Sequence, residues 1–211
     1  RKWLTVKKYL TNEDWKLSYS EQSQKILNIN SITINNIYPE INADIKRFKE
    51  GNSDLEIKGK KIAFGVDSFE DYKMWYEENF SELGLKLNEM GFANYIYLVC
   101  GPSKAHVAEK IINLSNKNIF INCSNLNLLA ITKVILESEM FIGNNSGPLN
   151  LSAALNVKSY GLFANSPISQ LKYSNIKTIV PDGYKDNLFI KNRDEMKKLT
   201  VKNVLDFVSD K

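Results

Sequence analysis

Two short runs in this 211-residue sequence carry residue types that can hold an anion. The first, Gly143-Asn144-Asn145-Ser146-Gly147-Pro148-Leu149-Asn150, is a polar turn that passes straight into the small-residue stretch Leu151-Ser152-Ala153-Ala154-Leu155. Asn or Ser caps a helix of this kind, Pro148 suits its first turn, and the unpaired amides at such a start attract phosphate. A plain capped helix needs the same residues, so both readings stand. The second run, Asp67-Ser68-Phe69-Glu70-Asp71-Tyr72-Lys73, sets a cation just ahead of a helix with Glu77 and Glu78 in its opening turns. Lys73 and the Ser68 hydroxyl can reach a diphosphate without a metal ion. Equally, Lys73 can pair with Glu77 one helical turn on, a contact worth about 0.2–0.5 kcal/mol.

Other reactive side chains point elsewhere. Cys100-Gly101-Pro102-Ser103 reads as a turn and a helix cap, with Cys100 a buried thiol. Cys123 sits at a strand end with no histidine near it in sequence, which fits a small hydrophobe better than a nucleophile. The single histidine, His106, falls inside a helix and away from the loop tip, a surface or packing position. Two cysteines and one histidine make neither a zinc site nor a disulfide framework, so a reducing compartment, the cytoplasm, is expected.

The elements that position these runs follow a regular pattern from about residue 56. Apolar runs at Ile62–Val66, Tyr95–Cys100, Ile119–Asn122, Met140–Gly143, Ser159–Phe163 and Thr178–Val180 fit buried strands. Between them Phe80, Leu83, Leu87 and Met90, then Val107, Ile111 and Leu114, then Leu128, Ile131, Val134 and Ile135 recur at helical spacing. Leu199, Val204, Leu205 and Val208 suggest a closing helix. The alternation predicts an α/β doubly wound parallel sheet, whose ligand crevice lies beyond the carboxyl ends of the strands, where both anion-binding runs fall. Residues 1–55 are polar and broken in pattern despite Trp3, Leu4, Tyr9, Leu10, Trp15 and Leu17, and read as a connector or the remnant of another domain, bounded by the turn formers of Arg47–Asp54. Lysine plus arginine total 28 against 24 acidic residues, a net charge of +4, too small and dispersed for a nucleic-acid partner. No apolar run is long enough to span a membrane, and the start at Arg1 has neither Met nor a signal-peptide core, so the chain is expected to begin within something longer.

The run from Met140 to Phe163, with Lys73-Met74-Trp75 upstream, resembles the ADP-heptose:lipopolysaccharide heptosyltransferases, glycosyltransferase family 9. Gly143 to Ala154 stands where that family has a Gly-Asn-Asp-Ser-Gly-Pro-Met-His-Leu-Ala-Ala-like loop and helix. Lys73 to Glu77 matches its Lys-Arg-Trp-Pro-Glu-like element, Cys100-Gly101-Pro102 its Gly-Gly-Pro turn, and Leu199 to Leu205 its closing element. The resemblance implies the C-terminal half of a GT-B glycosyltransferase, with 56–211 a Rossmann-like nucleotide-sugar-binding domain. Its donor would be a nucleotide diphosphate sugar such as ADP-heptose, and its acceptor a lipopolysaccharide or other surface glycan. Ser68 and Lys73 would contact the donor phosphates, and the turn Asn145, Ser146, Gly147, Pro148, Leu149 and Asn150 would hold the diphosphate through its amides. No cofactor or metal is implied, and the general base would lie in the N-terminal half. Because the acceptor lipid is on the inner leaflet in the family, peripheral contact with the inner membrane is expected, although no strongly basic amphipathic helix marks an anchor. Three positions depart from the pattern: Asn145 replaces an aspartate, Asn150 a histidine, and Ala130 an acidic donor contact. These losses motivate the alternative of a noncatalytic nucleotide- or glycan-binding module. An epimerase-like Rossmann enzyme is disfavoured, since Gly65-Val66-Asp67-Ser68 lacks the Gly-x-Gly-x-x-Gly turn.

Overall fold

Six short apolar runs, each with side chains alternating between two covered faces, pair as one parallel sheet. The computed structural model describes residues 13, 17, 19–29, 41, 58–168, 171, 173, 175–186 and 190–209. The strands are β1 Lys61–Gly65, β2 Tyr95–Val99, β3 Phe120–Asn122, β4 Met140–Asn144, β5 Ser159–Leu162 and β6 Ile176–Ile179, ordered β3-β2-β1-β4-β5-β6. Every neighbouring pair is parallel. Among the described residues six α-helices accompany them: α1 Tyr19–Ile29, α2 Glu77–Glu89, α3 Ala105–Asn113, α4 Leu128–Leu136, α5 Gly147–Ala154 and α6 Val201–Ser209. The expected α/β doubly wound sheet is therefore what the chain forms, with all six strands close to the predicted runs.

The alternation sorts the core by face. Ile62, Phe64, Ile96, Leu98, Met140 and Ile142 join one cluster, which α2, α3 and α6 cover. Ala63, Tyr97, Val99 and Phe141 join the other, under α4 and α5. Trp75 is wholly buried in the first cluster, its ring edge-on to Phe80 with centroids 5.0 Å apart. Asn127 caps α4 by accepting the Ala130 amide at 2.9 Å, which fixes where that helix begins.

Three residues expected on packing faces are exposed instead. Met90 and Leu114 are the C-caps of α2 and α3, where the chain turns off the helix and its periodicity no longer applies. Leu128 opens α4 and is 73% exposed beyond the sheet edge, next to the exposed Leu129. Ser103, expected to cap a helix, lies inside the 3-10 turn Pro102–Lys104 and makes no cap bond. Within the expected connector the structure shows α1, and Ile41 N donates to Ala154 O at the end of α5, 3.0 Å away. Trp3, Leu4, Tyr9, Leu10, Trp15 and the boundary signals of 47–54 lie outside the described residues. No helix among the described residues is long and apolar enough to cross a membrane.

Candidate functional site

The chain leaves β1 toward β2 over one face and leaves β4 toward β5 over the other, so a crevice opens between the carboxyl ends of these two adjacent strands. Both of the runs singled out from the sequence meet there. Ser68, after β1, donates its hydroxyl to the Asn145 carbonyl, after β4, at 3.3 Å across 77 positions of sequence. Beneath them Gly65 and Gly143 are paired in register. A Cβ on Gly143 would come within 2.8 Å of both Cα and O of Gly65, so only a glycine lets the strand ends approach this closely.

At the start of α5 the residues suited to capping leave the cap unmade. Ser146 occupies the N-cap position with extended backbone, but its side chain makes no cap bond, and its buried Oγ has no partner among the described residues. The amides of Gly147 and Leu149 have no intrahelical acceptor at this position in a helix, Pro148 has no amide hydrogen, and the ladder begins only with Asn150 N to Ser146 O at 3.3 Å. Open space lies where a Gly147 side chain would project, whereas Leu149 is wholly buried. Asn145 Nδ2 donates to Ser166 Oγ at 3.1 Å, and Asn150 Nδ2 to Ser146 O at 3.3 Å. This arrangement differs from a plain capped helix in that the N-cap serine makes no side-chain cap bond.

Lys73 ends a 3-10 turn, Asp71–Lys73, closed by Lys73 N to Glu70 O at 2.9 Å. It does not pair with Glu77, which is engaged by Arg193 and Lys110, each at 3.1 Å. Instead Lys73 Nζ lies 2.5 Å from Glu70 Oε2, while Tyr72 donates its phenol to Glu70 Oε1 at 2.5 Å. Lys73 first, then Tyr72, holds the Glu70 carboxyl below its ordinary range. The strap 72–76 that carries Lys73 is braced from three other parts of the carboxyl edge. Trp75 N donates to Asn144 Oδ1 at 2.9 Å at the end of β4, and Trp75 Nε1 to Leu199 O at 2.7 Å. Asn165, after β5, donates to the Tyr72 carbonyl. Arg193, in the 3-10 segment Arg193–Lys198, donates to Met74 O at 3.0 Å and Trp75 O at 3.2 Å. Lys73 is thus carried by a strap tied to the carboxyl ends of β4 and β5. Glu70 and Asn144 lie inside the two runs but were given no role of their own from sequence, and Asn165 and Arg193 were not among the expected site residues; the position of Asn165 just past a strand end was the one readable signal.

The other titratable and reactive side chains are engaged elsewhere. Asp67 accepts the Gly101 amide at 2.7 Å; burial pushes its carboxyl up, against that bond and Lys104. Cys100 and Cys123 are buried on opposite faces of the sheet, and burial pushes each thiol up to about 12, which removes thiolate chemistry near neutrality. His106 is exposed on α3. Ala130 is buried in the first turn of α4, so the exposed side chains at that helix start are Leu128 and Leu129. A cleft of about 210 Å³ opens past β5 and β6, lined by Ala164, Pro181, Tyr184 and Lys198 among others, and none of the eight candidate residues lines it. No group of three or more His, Cys, Asp or Glu among the described residues is placed to hold a metal ion.

The sequence model for glycosyltransferase family 9 (heptosyltransferase) matches residues 22–205. Lipooligosaccharide heptosyltransferase 2 of Campylobacter jejuni is 26% identical over 169 residues, covering 74% of this chain and 50% of its own length. Among solved structures, E. coli ADP-heptose lps heptosyltransferase II superposes with a TM-score of 0.71 at 16% identity, covering 83% of this chain and 54% of that one. E. coli heptosyltransferase WaaC with ADP gives 0.62 at 19% identity, covering 78% and 48%. The chain thus spans about half the length of each of these three proteins.

Proposed function

The chain belongs to glycosyltransferase family 9, and from that footing we propose that it is the donor-binding domain of a heptosyltransferase-like enzyme, moving a sugar from a nucleotide diphosphate sugar of the ADP-heptose kind to a lipopolysaccharide-type acceptor. The observation that carries this reading is the hydrogen bond from Ser68 to the Asn145 carbonyl, which brings two runs of anion-binding residues into one crevice at the β1–β4 switch point. In this reading the diphosphate lies between the start of α5 and the strap. The amides of Gly147 and Leu149 and the Ser146 hydroxyl point their donors at one phosphate, supported by the positive end of the helix dipole. Lys73 meets the other, and Ser68 can donate to it by releasing its bond to the Asn145 carbonyl. Pro148 contributes fixed backbone geometry, and the amide side chains of Asn145 and Asn150 hydrogen-bond sugar or ribose hydroxyls in place of the acidic and imidazole groups of the family pattern.

Transfer breaks the bond between the sugar's anomeric carbon and the diphosphate, so negative charge grows on the leaving group. Fixed amides and one ammonium stabilise that charge more strongly as it grows, and no metal ion is then required. The general base and the acceptor contacts belong to the other half of the two-domain architecture, so residues 56–211 bind the donor and residues 1–55 act as the connector. The enzyme works in the cytoplasm, in peripheral contact with the inner membrane where its lipid acceptor lies.

Titration with ADP tests the reading. Saturable binding is expected, about ten- to a hundredfold weaker in Lys73→Ala, the range for losing a charge-assisted contact. A folded protein that binds neither ADP nor any other nucleoside diphosphate favours the noncatalytic module instead.

A further inference from the structure

We propose that Glu70 competes with the donor's diphosphate for Lys73 and thereby sets how tightly the nucleotide sugar is held; the inference rests on the donor-binding reading above. The turn after β1 is closed by Lys73 N to Glu70 O at 2.9 Å, which brings the two residues together, and the charged atoms of the Glu70 carboxylate and the Lys73 ammonium are 2.5 Å apart. The cation is the more covered partner, its side chain 16% exposed against 36% for the carboxylate. Glu70 can therefore swing into water while Lys73 stays at the rim. The backbone around the pair is tied into both halves of the crevice, since Glu70 N donates to Ser68 Oγ at 3.4 Å and Ser68 Oγ in turn to the Asn145 carbonyl at 3.3 Å.

A carboxylate in this place has a definite consequence. A diphosphate drawn to Lys73 arrives next to a like charge, so either the pair opens or binding is weakened by repulsion. The groups facing Glu70 are Lys73 and Tyr72 on its own turn and the positive charge of Lys191 from the C-terminal segment. Lys191 bears on the carboxylate from the C-terminal segment and keeps it close by while the pair with Lys73 is open, which makes the exchange reversible. The pair is of the partly exposed kind whose strength is modest, suited to a contact that is made and broken at each turnover.

The experiment is a double-mutant cycle on the 211-residue chain, with ADP as the probe, adenosine as the phosphate-free control, calorimetry for affinity and thermal melting for the folded state. Glu70→Gln is expected to bind ADP about two- to fivefold tighter with adenosine unchanged. In the Lys73→Ala background the same substitution should have no effect. Glu70→Ala serves in the same role should the glutamine variant melt early. Unchanged or weaker ADP binding on losing the carboxylate overturns the proposal, as does a tightening that persists without Lys73, which would be plain repulsion. Failure of the unsubstituted chain to bind ADP sinks the donor-binding reading itself; binding that Lys73→Ala weakens but Glu70→Gln leaves alone sinks only the role of Glu70.

Discussion

A serine at a helix N-cap ordinarily stabilises the helix by about 1 kcal/mol through its side-chain oxygen. Ser146 stands in that position and withholds the bond. Two outcomes of Ser146→Ala therefore separate. The melting temperature should stay within about a degree or two, because no cap bond is lost and the hydroxyl removed is a buried one that makes no hydrogen bond among the described residues. ADP affinity, by contrast, should fall several-fold, because a convergent hydroxyl donor disappears. A large loss of stability with unchanged ADP binding would mean that Ser146 caps the helix in solution and that the start of α5 is ordinary. Asn144 shows the opposite economy. Its Oδ1 is committed to the buried amide of Trp75, so Asn144→Ala leaves that amide without an acceptor and should cost about 1–3 kcal/mol in chemical denaturation, as well as loosening the strap that carries Lys73.

The strands were legible because a parallel sheet covered on both faces demands unbroken apolar runs, and Ile62-Ala63-Phe64 or Tyr95-Ile96-Tyr97-Leu98-Val99 admit little else. The polar turn into α5 was legible for the complementary reason, since glycine, proline, serine and asparagine cluster where backbone geometry is exacting. The braces of the strap were not. Asn165 to Tyr72 and Arg193 to Met74 join residues 93 and 119 positions apart, and nothing local to Arg193 distinguishes it from other exposed basic residues. The Glu70 pairing was missed because helical spacing favoured Glu77, whereas the chain enters a 3-10 turn in which the partner three residues back is the nearer one. At the element scale the sheet makes one sharp demand: Gly143→Ala forces a methyl group against the Gly65 backbone. Backbone cannot step aside as a side chain can, so a loss of about 1–3 kcal/mol is expected in urea denaturation, with the crevice distorted along with the strands.

Across the whole molecule, the C-terminal segment is fastened to the start of α2 through Glu77, which binds Arg193 while Lys110 of α3 holds its other oxygen. Burial alone would raise the Glu77 carboxyl; its own backbone amide, Lys110 and Arg193 outweigh that and hold it below the ordinary 4.5. A depressed folded-state value means that Glu77 adds stability above the unfolded value and loses it as pH falls through the folded one. Glu77→Gln should accordingly destabilise the protein near neutral pH, and the gap between variant and unsubstituted chain should close below about pH 4.5, as followed by melting temperature against pH. A gap of constant size from neutral to strongly acid pH would mean that the charge of the carboxylate is not what fastens the segment.

The central position of β1 bears on how the molecule is made. Its two neighbours are β2, which follows soon after it, and β4, which begins only at Met140. While the chain emerges from the ribosome, one flank of β1 presents unpaired amides and carbonyls through the synthesis of β2, β3 and the helices between, a template for mispairing with other chains. Arrival of β4 closes that flank and in the same step brings Asn145 to Ser68. Capture of a nucleotide by nascent chains of increasing length would therefore mark the moment at which the vulnerable edge is sealed.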